Sequence, residues 1–198
     1  LLRSRVIPGY DNRNGGSLRS NTLFNITPAL YGKLFLDGYT EQGFAAGSEL
    51  EYQPSSESRG ALYGYHVGED QTGRDRWTVL GSQYQAFGSS YAFQGRLQAQ
   101  SDPDVNNNYV RSNAFRVTPE LVNSAAVVRR TVLTTTRISY ARSDTGVTGG
   151  LFARAKESSP RVDWQTSPLA LPKVPALFTL TAFADNSYDR ARGFQQHS

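Results

Sequence analysis

Ten consecutive residues decide the fold class, and they read Gly43-Phe44-Ala45-Ala46-Gly47-Ser48-Glu49-Leu50-Glu51-Tyr52. One set of alternate positions is mainly apolar and ends in an aromatic ring: Phe44, Ala46, Ser48, Leu50 and Tyr52. The positions between them are small or acidic: Gly43, Ala45, Gly47, Glu49 and Glu51. Side chains alternate across a strand but recur at three and four residues in a helix, so this stretch predicts a β-strand with one apolar and one polar face.

The same two-residue period recurs along most of the chain. It predicts strands over residues 18–26, 31–40, 43–53, 59–68, 76–87, 91–100, 125–131, 132–142, 147–156, 161–169 and 177–185. Most of these runs have about ten residues, the length that a tilted strand needs to cross a bilayer. Short connections alternate with longer polar ones, as in outer-membrane barrels. The predicted fold class is therefore all-β, an antiparallel meander that forms a partial transmembrane β-barrel, about ten strands of a larger barrel.

Aromatic residues near the strand ends bear on the choice between a barrel and a soluble β-sandwich. They are Tyr31, Tyr39, Tyr52, Trp77, Tyr91 and Tyr140. Amphipathic rings prefer the membrane–water interface, but tyrosines are also common in soluble sandwiches. Strand length favours the barrel, and the sandwich stays open as an alternative.

One segment permits two interpretations. Thr118-Pro119-Glu120-Leu121 has the pattern of a helix N-cap followed by proline at the first helical position. The Val127-Val128 pair and the threonines at 131 and 134–136 favour extended structure instead. We expect a loop leading into a strand here.

Composition excludes several classes of protein. The 198 residues contain no Cys, which excludes a disulfide scaffold, a thiolate zinc site and a cysteine nucleophile. No apolar run approaches the length of a membrane-spanning helix. The net charge is +4, but the basic residues are scattered among acids, so nucleic acid is not an expected partner. Met is absent, even at position 1, and no signal peptide is recognisable, so the chain is expected to be part of something longer.

The residues offer little catalytic chemistry. His66 and His197 are the only histidines, and the sequence lacks a nucleophile elbow, a phosphate-binding glycine loop and a His-Glu-x-x-His motif. A lipid hydrolase in which His66 activates a serine is one alternative, but a polar residue on a strand is the simpler interpretation. Glu49 and Glu51 resemble an acid/base pair, although carboxylates that solvate a wet interior are a simpler explanation. We therefore predict no enzyme, no catalytic residues, no cofactor and no metal.

The order of short motifs resembles a known family, the outer-membrane lipopolysaccharide-assembly proteins (LptD, the organic-solvent-tolerance family). An apolar-Pro step at residues 6–8 precedes a Gly/Asn-rich turn, and Leu23-Phe24-Asn25-Ile26-Thr27-Pro28 follows. Later pieces that match in order are the strand at 43–52, Asp75-Arg76-Trp77 with Gln83-Tyr84-Gln85, Gln100-Ser101-Asp102 with Tyr109-Val110-Arg111, Arg129-Arg130 with Ile138-Ser139-Tyr140, Ser159-Pro160-Arg161-Val162 and Pro175-Ala176-Leu177-Phe178. The match covers nearly the whole chain.

The resemblance implies a fold and a function. Residues 1–198 would be one fragment of a single outer-membrane barrel domain, the first ten or so strands of a barrel of roughly 26. The function implied is transport of lipopolysaccharide and its insertion into the outer leaflet of the outer membrane of a Gram-negative cell. The implied partners are lipopolysaccharide, a plug lipoprotein (LptE-like), a periplasmic bridge protein (LptA-like) and outer-membrane lipids. An outer-membrane porin or other β-barrel channel is the alternative function.

The resemblance also implies sites. The first strand of the barrel would be residues 18–26, and with Pro28 it would form a lateral gate, since proline lacks the amide donor for the ladder. The residues assigned to this gate strand are Leu18, Ser20, Thr22, Phe24, Ile26 and Pro28. A simple turn at Pro28 is the other interpretation. The residues assigned to the lumen, where they would face sugar or the plug, are Glu49, Glu51, Arg154, Lys156, Arg161 and Asp163.

Overall fold

The structure is a computed structural model that describes residues 2–109, 120–147, 150–170, 176–190 and 194–197. These residues form strands β1 (Leu2–Asp11), β2 (Gly15–Thr27), β3 (Leu30–Tyr39), β4 (Gly43–Ser55), β5 (Ser58–Glu69), β6 (Arg74–Phe87), β7 (Tyr91–Gln100), β8 (Glu120–Arg130), β9 (Thr134–Val147), β10 (Leu151–Thr166), β11 (Leu169–Ala170), β12 (Leu177–Phe178), β13 (Thr181–Asp189) and β14 (Phe194–His197). A helical turn, α1 (Val105–Tyr109), lies between β7 and β8. Among the described residues, no helix has the length and apolar character needed to cross a membrane.

Twelve of the strands form one antiparallel sheet in the order β1-β2-β3-β4-β5-β6-β7-β8-β9-β10-β13-β14. Strands β11 and β12 pair with each other in a separate two-stranded sheet. Strands β1 and β14 are the two edges of the large sheet and, as far as the structure describes them, do not pair with each other. The prediction of an all-β antiparallel meander is confirmed. The sheet is open, as expected for part of a barrel wall, and has twelve strands where about ten were predicted.

The ladder register divides the large sheet into two faces. We call the face that α1 covers the inner face, and a row across β3 to β6 on it consists of Lys33, Glu49, Tyr63 and Leu80. The adjacent row consists of Leu34, Ser48, Gly64 and Val79 and points the other way, onto what we call the outer face. The alternation seen in residues 43–52 therefore extends across the sheet, because paired residues on neighbouring strands share a face.

The buried core lies on the inner face, beneath α1. It consists of Phe35, Tyr39, Ala45, Tyr63, Tyr65, Val67 and Leu80 from the strands, together with Val105 and Tyr109 from α1. Gly47 makes this packing possible, because a Cβ atom there would lie 2.5 Å from Cδ2 of Tyr65 and 2.6 Å from the carbonyl oxygen of Gly64. The glycine in the polar half of the 43–52 pattern thus leaves room for a tyrosine ring.

The first predicted strand is not the first strand of the sheet. Strand β1 precedes it and pairs with β2 over its whole length, with Pro8 opposite Leu18. The alternation in β1 is weak because Arg3 and Arg5 alternate with Ser4 and Val6, and proline argues against a strand. Proline is tolerated in β1 because this strand is an edge strand.

Residues 147–156 and 161–169 do not form two strands, as the sequence had predicted. Residues 151–156 and 161–166 belong to the single strand β10, which passes through Ser159 and Pro160, while Val147 ends β9 and Leu169 lies in β11. The register with both neighbouring strands shifts between Ser158 and Arg161. This irregularity accommodates a proline that has no amide hydrogen for the ladder.

Three further boundaries differ from the prediction. Strand β8 begins at Glu120, before the predicted start at residue 125, so residues 120–124 are extended in a strand and are not a loop; residues 118–119 lie outside the described part of the chain. The predicted direct passage from one strand to the next at 131–132 is wrong, because a turn intervenes in which the amide of Thr131 donates to the carbonyl of Thr134 over 2.8 Å. The predicted strand at 177–185 is divided between β12 and β13.

Candidate functional site on the inner face of the sheet

The outer face of β2 to β7 is apolar and exposed. It carries large side chains such as Phe44, which is 61% exposed, Leu62, which is 49% exposed, and Leu97, which is 50% exposed. Along these six strands, every residue of which is described, the register places no Lys, Arg or Glu on the outer face. Its only His and Asp are His66 and Asp75, near one end of their strands, with Nε2 and Oδ1 3.3 Å apart.

The outer face also has polar margins. On β6 it carries Trp77, Val79 and Gly81 and then becomes polar at Gln83. The amide of Gln83 donates to the hydroxyl of Tyr52 over 2.6 Å, and this hydroxyl donates to the side-chain oxygen of Gln85 over 3.2 Å. From Trp77 to Gln83 the strand rises about 20 Å at roughly 3.3 Å per residue. Polar groups thus bound an apolar band of limited height.

The inner face is polar, and its carboxylates bond to neighbouring side chains. Nζ of Lys33 lies 3.0 Å from both carboxylate oxygens of Glu49. The hydroxyl of Tyr31 donates to Glu51 over 2.5 Å. Register therefore brings the two predicted acidic residues of β4 to the inner face, where each bonds to a side chain of β3.

A buried tyrosine–aspartate cluster lies further along the same strands. Asp37 is 1% exposed and accepts a 2.6 Å hydrogen bond from the hydroxyl of Tyr65. The hydroxyl groups of Tyr39 and Tyr65 are 3.1 Å apart. Arg19 lies over the ring of Tyr39 at 5.3 Å. A buried carboxylate costs free energy unless it is hydrogen-bonded, so the hydroxyl of Tyr65 offsets the cost of burying Asp37 in the surface that α1 covers.

Arg76 fastens the α1 loop to the sheet. Its Nη1 atom donates to Glu69 over 3.0 Å and its Nε atom to Asp102 over 2.8 Å, while Nη2 also bonds to Asp102. Glu69 in turn accepts a hydrogen bond from the hydroxyl of Tyr109. Arg76 lies 5.4 Å from the centre of the Tyr109 ring. We call Glu69, Arg76, Asp102 and Tyr109 the loop clamp.

The loop side of this clamp is electrostatically adapted to its position. Burial alone would raise the pKa of Asp102, but hydrogen bonds from Arg76 and Ser101 hold it below its ordinary value. Burial and the bond to Glu69 raise the pKa of Tyr109. At neutral pH the clamp therefore contains a charged arginine, an ionised Asp102 and a protonated tyrosine.

Further contacts hold α1 against the inner face. Val105 is fully buried, and the ring of Tyr109 meets that of Tyr39 edge-on at 5.8 Å between centroids. Nη1 of Arg13, from the turn between β1 and β2, donates to Asn108 over 2.6 Å. The loop after β7 is thus folded onto the inner face and held by the core, the clamp and a neighbouring turn.

Five of the six predicted lumen residues lie on the inner face: Glu49, Glu51, Lys156, Arg161 and Asp163. Arg161 and Asp163 form an ion pair of 2.8 Å. Arg154 is the exception: the prediction that it shares a face with Lys156 is wrong, while a lumen role for these residues stays a prediction. The register shifts between Arg154 and Lys156, so Arg154 lies opposite Asp144 on the outer face and pairs there with Glu157. The extra residue, Ala155, reverses the alternation at this point.

The predicted gate residues Leu18, Ser20, Thr22 and Phe24 share the outer face of β2, Ile26 is the unpaired residue at a register shift, and Pro28 lies in the turn after the strand. Strand β2 lies between β1 and β3, so these residues form the second strand rather than the edge. Their role in a gate stays a prediction.

The hydrolase alternative depends on the contacts of His66. His66 contacts Asp75, and no described serine hydroxyl hydrogen-bonds to it. No group of three or more His, Cys, Asp or Glu residues within the described ranges could hold a metal ion.

The sequence interpretation missed the loop clamp and the Asp37 cluster, although signals for the clamp exist. Arg76 belongs to the Asp-Arg-Trp motif and Asp102 to the Ser-Asp motif, and these two pieces meet in space. No family model matches this chain, and no curated protein matches it.

Proposed function

We propose that this chain is part of the wall of an outer-membrane β-barrel in a Gram-negative cell, and that the barrel transports lipopolysaccharide to the outer leaflet. One observation carries the membrane half of the proposal: an exposed outer face on β2 to β7 that bears apolar side chains and no Lys, Arg or Glu. Such a face is unfavourable in water and suited to lipid.

Strand length supports the same conclusion. Strands β1 to β10 have 10 to 16 residues, and a tilted membrane strand needs about 9–11. An open sheet leaves unpaired amides at its edges, and these are not tolerated in lipid. Further strands of the same barrel would therefore have to pair with β1 and β14.

The choice of lipopolysaccharide rests on the ordered resemblance and on the character of the inner face. Two pieces of the resemblance, Asp-Arg-Trp and Ser-Asp, contribute the Arg76–Asp102 contact. The inner face offers donors and acceptors to a sugar chain, while the outer face offers apolar contacts to acyl chains. A plug lipoprotein and a periplasmic bridge protein are the partners that the proposal implies, in addition to outer-membrane lipids.

Depletion of the full-length protein tests the transport half. Newly made lipopolysaccharide should disappear from the cell surface, while other outer-membrane proteins still assemble. Chemical labelling of the sugars that are exposed on intact cells measures the surface lipopolysaccharide. Re-expression of the unaltered protein is the control. Normal surface lipopolysaccharide after depletion would refute the transport proposal.

A β-barrel channel is the second candidate, favoured by the folding of α1 onto the inner face. A loop in that position narrows a lumen, as a size filter would. The full-length protein in a planar bilayer should then show high and steady conductance, whereas a lipopolysaccharide translocon should not.

The soluble-sandwich alternative is tested by folding. The full-length protein should need detergent or lipid to become resistant to protease. Folding to a monomer in water without either would refute the membrane assignment.

A further inference from the structure

The charges on the inner face are unequally partnered. Carboxylates on inner-face positions of β1 to β10 have hydrogen-bond or ionic partners: Asp11, Asp37, Glu49, Glu51, Glu69, Glu120 and Asp163. Several arginines on the same face do not form an ion pair with any described carboxylate: Arg3, Arg5, Arg59, Arg96 and Arg137. All five are exposed. The charge left available on this face is therefore cationic.

Two of these arginines lie on the strands that flank β6, and one of them, Arg59, lines a cavity. Arg59 on β5 lies opposite Tyr84 on β6, and Arg96 on β7 lies opposite Ser82 on β6. The guanidinium of Arg59 lies over the Tyr84 ring, 6.0 Å from its centre. A cavity of about 360 Å³ is lined by Arg59, Ser82, Tyr84, Tyr31 and Glu51 among others.

The chemistry of this cavity selects a class of ligand. Arginine presents planar donors that bind phosphate and carboxylate groups in a bidentate manner. Stacking on Tyr84 restricts the motion of the Arg59 guanidinium, so less entropy is lost when an anion binds. The hydroxyl of Ser82 and the phenol rings add the polar and flat surfaces that a sugar can contact. Glu51 also lines this cavity, but its described partner is the hydroxyl of Tyr31 and it forms no ion pair with Arg59.

We propose that Arg59 and Arg96 form a binding site for the phosphate or carboxylate groups of an anionic oligosaccharide, with Arg3, Arg5 and Arg137 extending the cationic surface along the inner face. This inference rests on the proposed function, because it assigns the sugar part of the transported lipid to particular side chains. It assigns the same side chains to any anionic glycan that enters the barrel.

Binding to the purified full-length protein in detergent tests the site apart from transport. The probe is the lipid-free core oligosaccharide released from lipopolysaccharide, with its phosphates intact, and isothermal titration gives the dissociation constant. Removing the phosphates from the probe should weaken binding at least tenfold, and so should the double variant Arg59→Gln/Arg96→Gln. The Arg59→Lys/Arg96→Lys variant should recover part of the loss, since it restores the charge without the planar fork.

The chain offers a matched control on the other face. Arg129 lies over the ring of Tyr91 at 5.8 Å, in a stack like that of Arg59, but on the outer face. Arg129→Gln should leave binding unchanged. Equal binding of the intact and dephosphorylated probes, or equal loss in Arg129→Gln, would overturn the site.

Two further readouts separate the possible sources and the two proposals. The first readout is competition by inorganic phosphate. If inorganic phosphate binds the protein as tightly as the core oligosaccharide does, the assignment to a glycan is overturned. The second readout is surface lipopolysaccharide after depletion, which is measured independently of binding. If the protein binds the probe but depletion leaves surface lipopolysaccharide normal, the binding site stands and only the transport proposal is refuted.

Discussion

The two faces of the sheet are built on opposite principles although they share every strand. On the inner face, side chains bond to each other: Asp37 with Tyr65, Lys33 with Glu49, and Arg76 with Glu69 and Asp102. On the outer face of β2 to β7, apolar side chains stand exposed beside open glycines such as Gly38 and Gly64, where an added Cβ would meet nothing within 4 Å. The difference shows that the inner surface is organised by its own contacts, whereas the outer surface depends on what surrounds it.

Removing the arginine of the loop clamp should have the largest effect on stability. Arg76→Ala leaves Glu69 and Asp102 without their cation, and their side chains are only 5% and 22% exposed. Breaking a buried pair by removing one partner costs roughly 3–5 kcal/mol. Urea unfolding of the full-length protein in lipid vesicles, followed by tryptophan fluorescence, measures the loss.

The outer face supplies the control for that variant. Arg154 pairs with Glu157 on the outer face with its side chain 48% exposed, so Arg154→Ala should cost less than about 1 kcal/mol. Similar losses in the two variants would mean that the clamp is no stronger than a surface ion pair.

A charge in the middle of the apolar band should have the next largest effect. Leu62 lies between Leu50 and Gly81 on the outer face. If that face meets lipid, Leu62→Arg should cost about 2–4 kcal/mol, the range for a cation at the bilayer midplane on the lipid side of a barrel. The same vesicle unfolding experiment measures it, together with the fraction of protein that assembles.

Ala61, the residue adjacent to Leu62, tests whether the cost of a charge depends on the face of the sheet or only on the position along the strand. Ala61 precedes Leu62 and points to the inner face, opposite Glu51. Ala61→Arg should cost much less than Leu62→Arg. Equal destabilisation would contradict a lipid-facing outer surface.

A methyl group should distinguish the packed face from the open one. Gly47→Ala on the inner face would place a Cβ 2.5 Å from the Tyr65 ring, and overpacking of this kind costs typically 1–3 kcal/mol. Gly64→Ala on the outer face meets open space and should be neutral or slightly stabilising, since it reduces the entropy of the unfolded chain. Melting of the two variants in the same detergent gives the comparison, which fails if both lose stability equally.

Sequence alone predicts the strands wherever one side of the alternation is clearly apolar. The stretch 43–52 has this property, and the structure confirms the strand and assigns Glu49 and Glu51 to one face. Strand β1 was missed because Arg3 and Arg5 occupy its inner face and Pro8 interrupts its pattern. The predicted face of Arg154 was wrong because β10 has a bulge between Arg154 and Lys156. The bulge arises from the pairing of β10 with β9, and the sequence of one strand does not reveal that pairing.

The candidate site was less accessible to prediction for a related reason. Arg76 and Asp102 are 26 residues apart and meet only because β6 and β7 are paired and the following loop turns back over the sheet. The alternation in residues 76–87 predicts a strand but carries no information on the loop that follows the next strand. A charged residue within a strand, beside a polar loop rich in Asp and Asn, is the signal that such a clamp leaves in a sequence.

The smallest expected effect is the release of the α1 loop from the inner face at low pH. The pKa of Asp102 is below its ordinary value in the folded protein, because the hydrogen bonds from Arg76 and Ser101 outweigh burial, which would raise it. A carboxyl group whose pKa is lowered by folding stabilises the folded state above its unfolded pKa of about 3.9 and loses that contribution as pH falls through the folded value. The α1 loop should therefore stay docked from pH 5 to 8 and loosen only below about pH 4.

A spin label at the exposed Asp104, introduced as Asp104→Cys into the full-length protein, reports this release as increased mobility. In an Asp102→Asn background the label should already be more mobile at pH 7 and respond less to acid, since the titrating group is gone while Glu69 and Tyr109 still hold Arg76 from the other side. Mobility that rises equally with acid in both backgrounds would place the pH sensitivity elsewhere in the barrel. The label lies beside the clamp and far from the outer face, so its mobility reports release of the loop. Tryptophan fluorescence at the same low pH reports unfolding of the sheet, and the two measurements together separate these events.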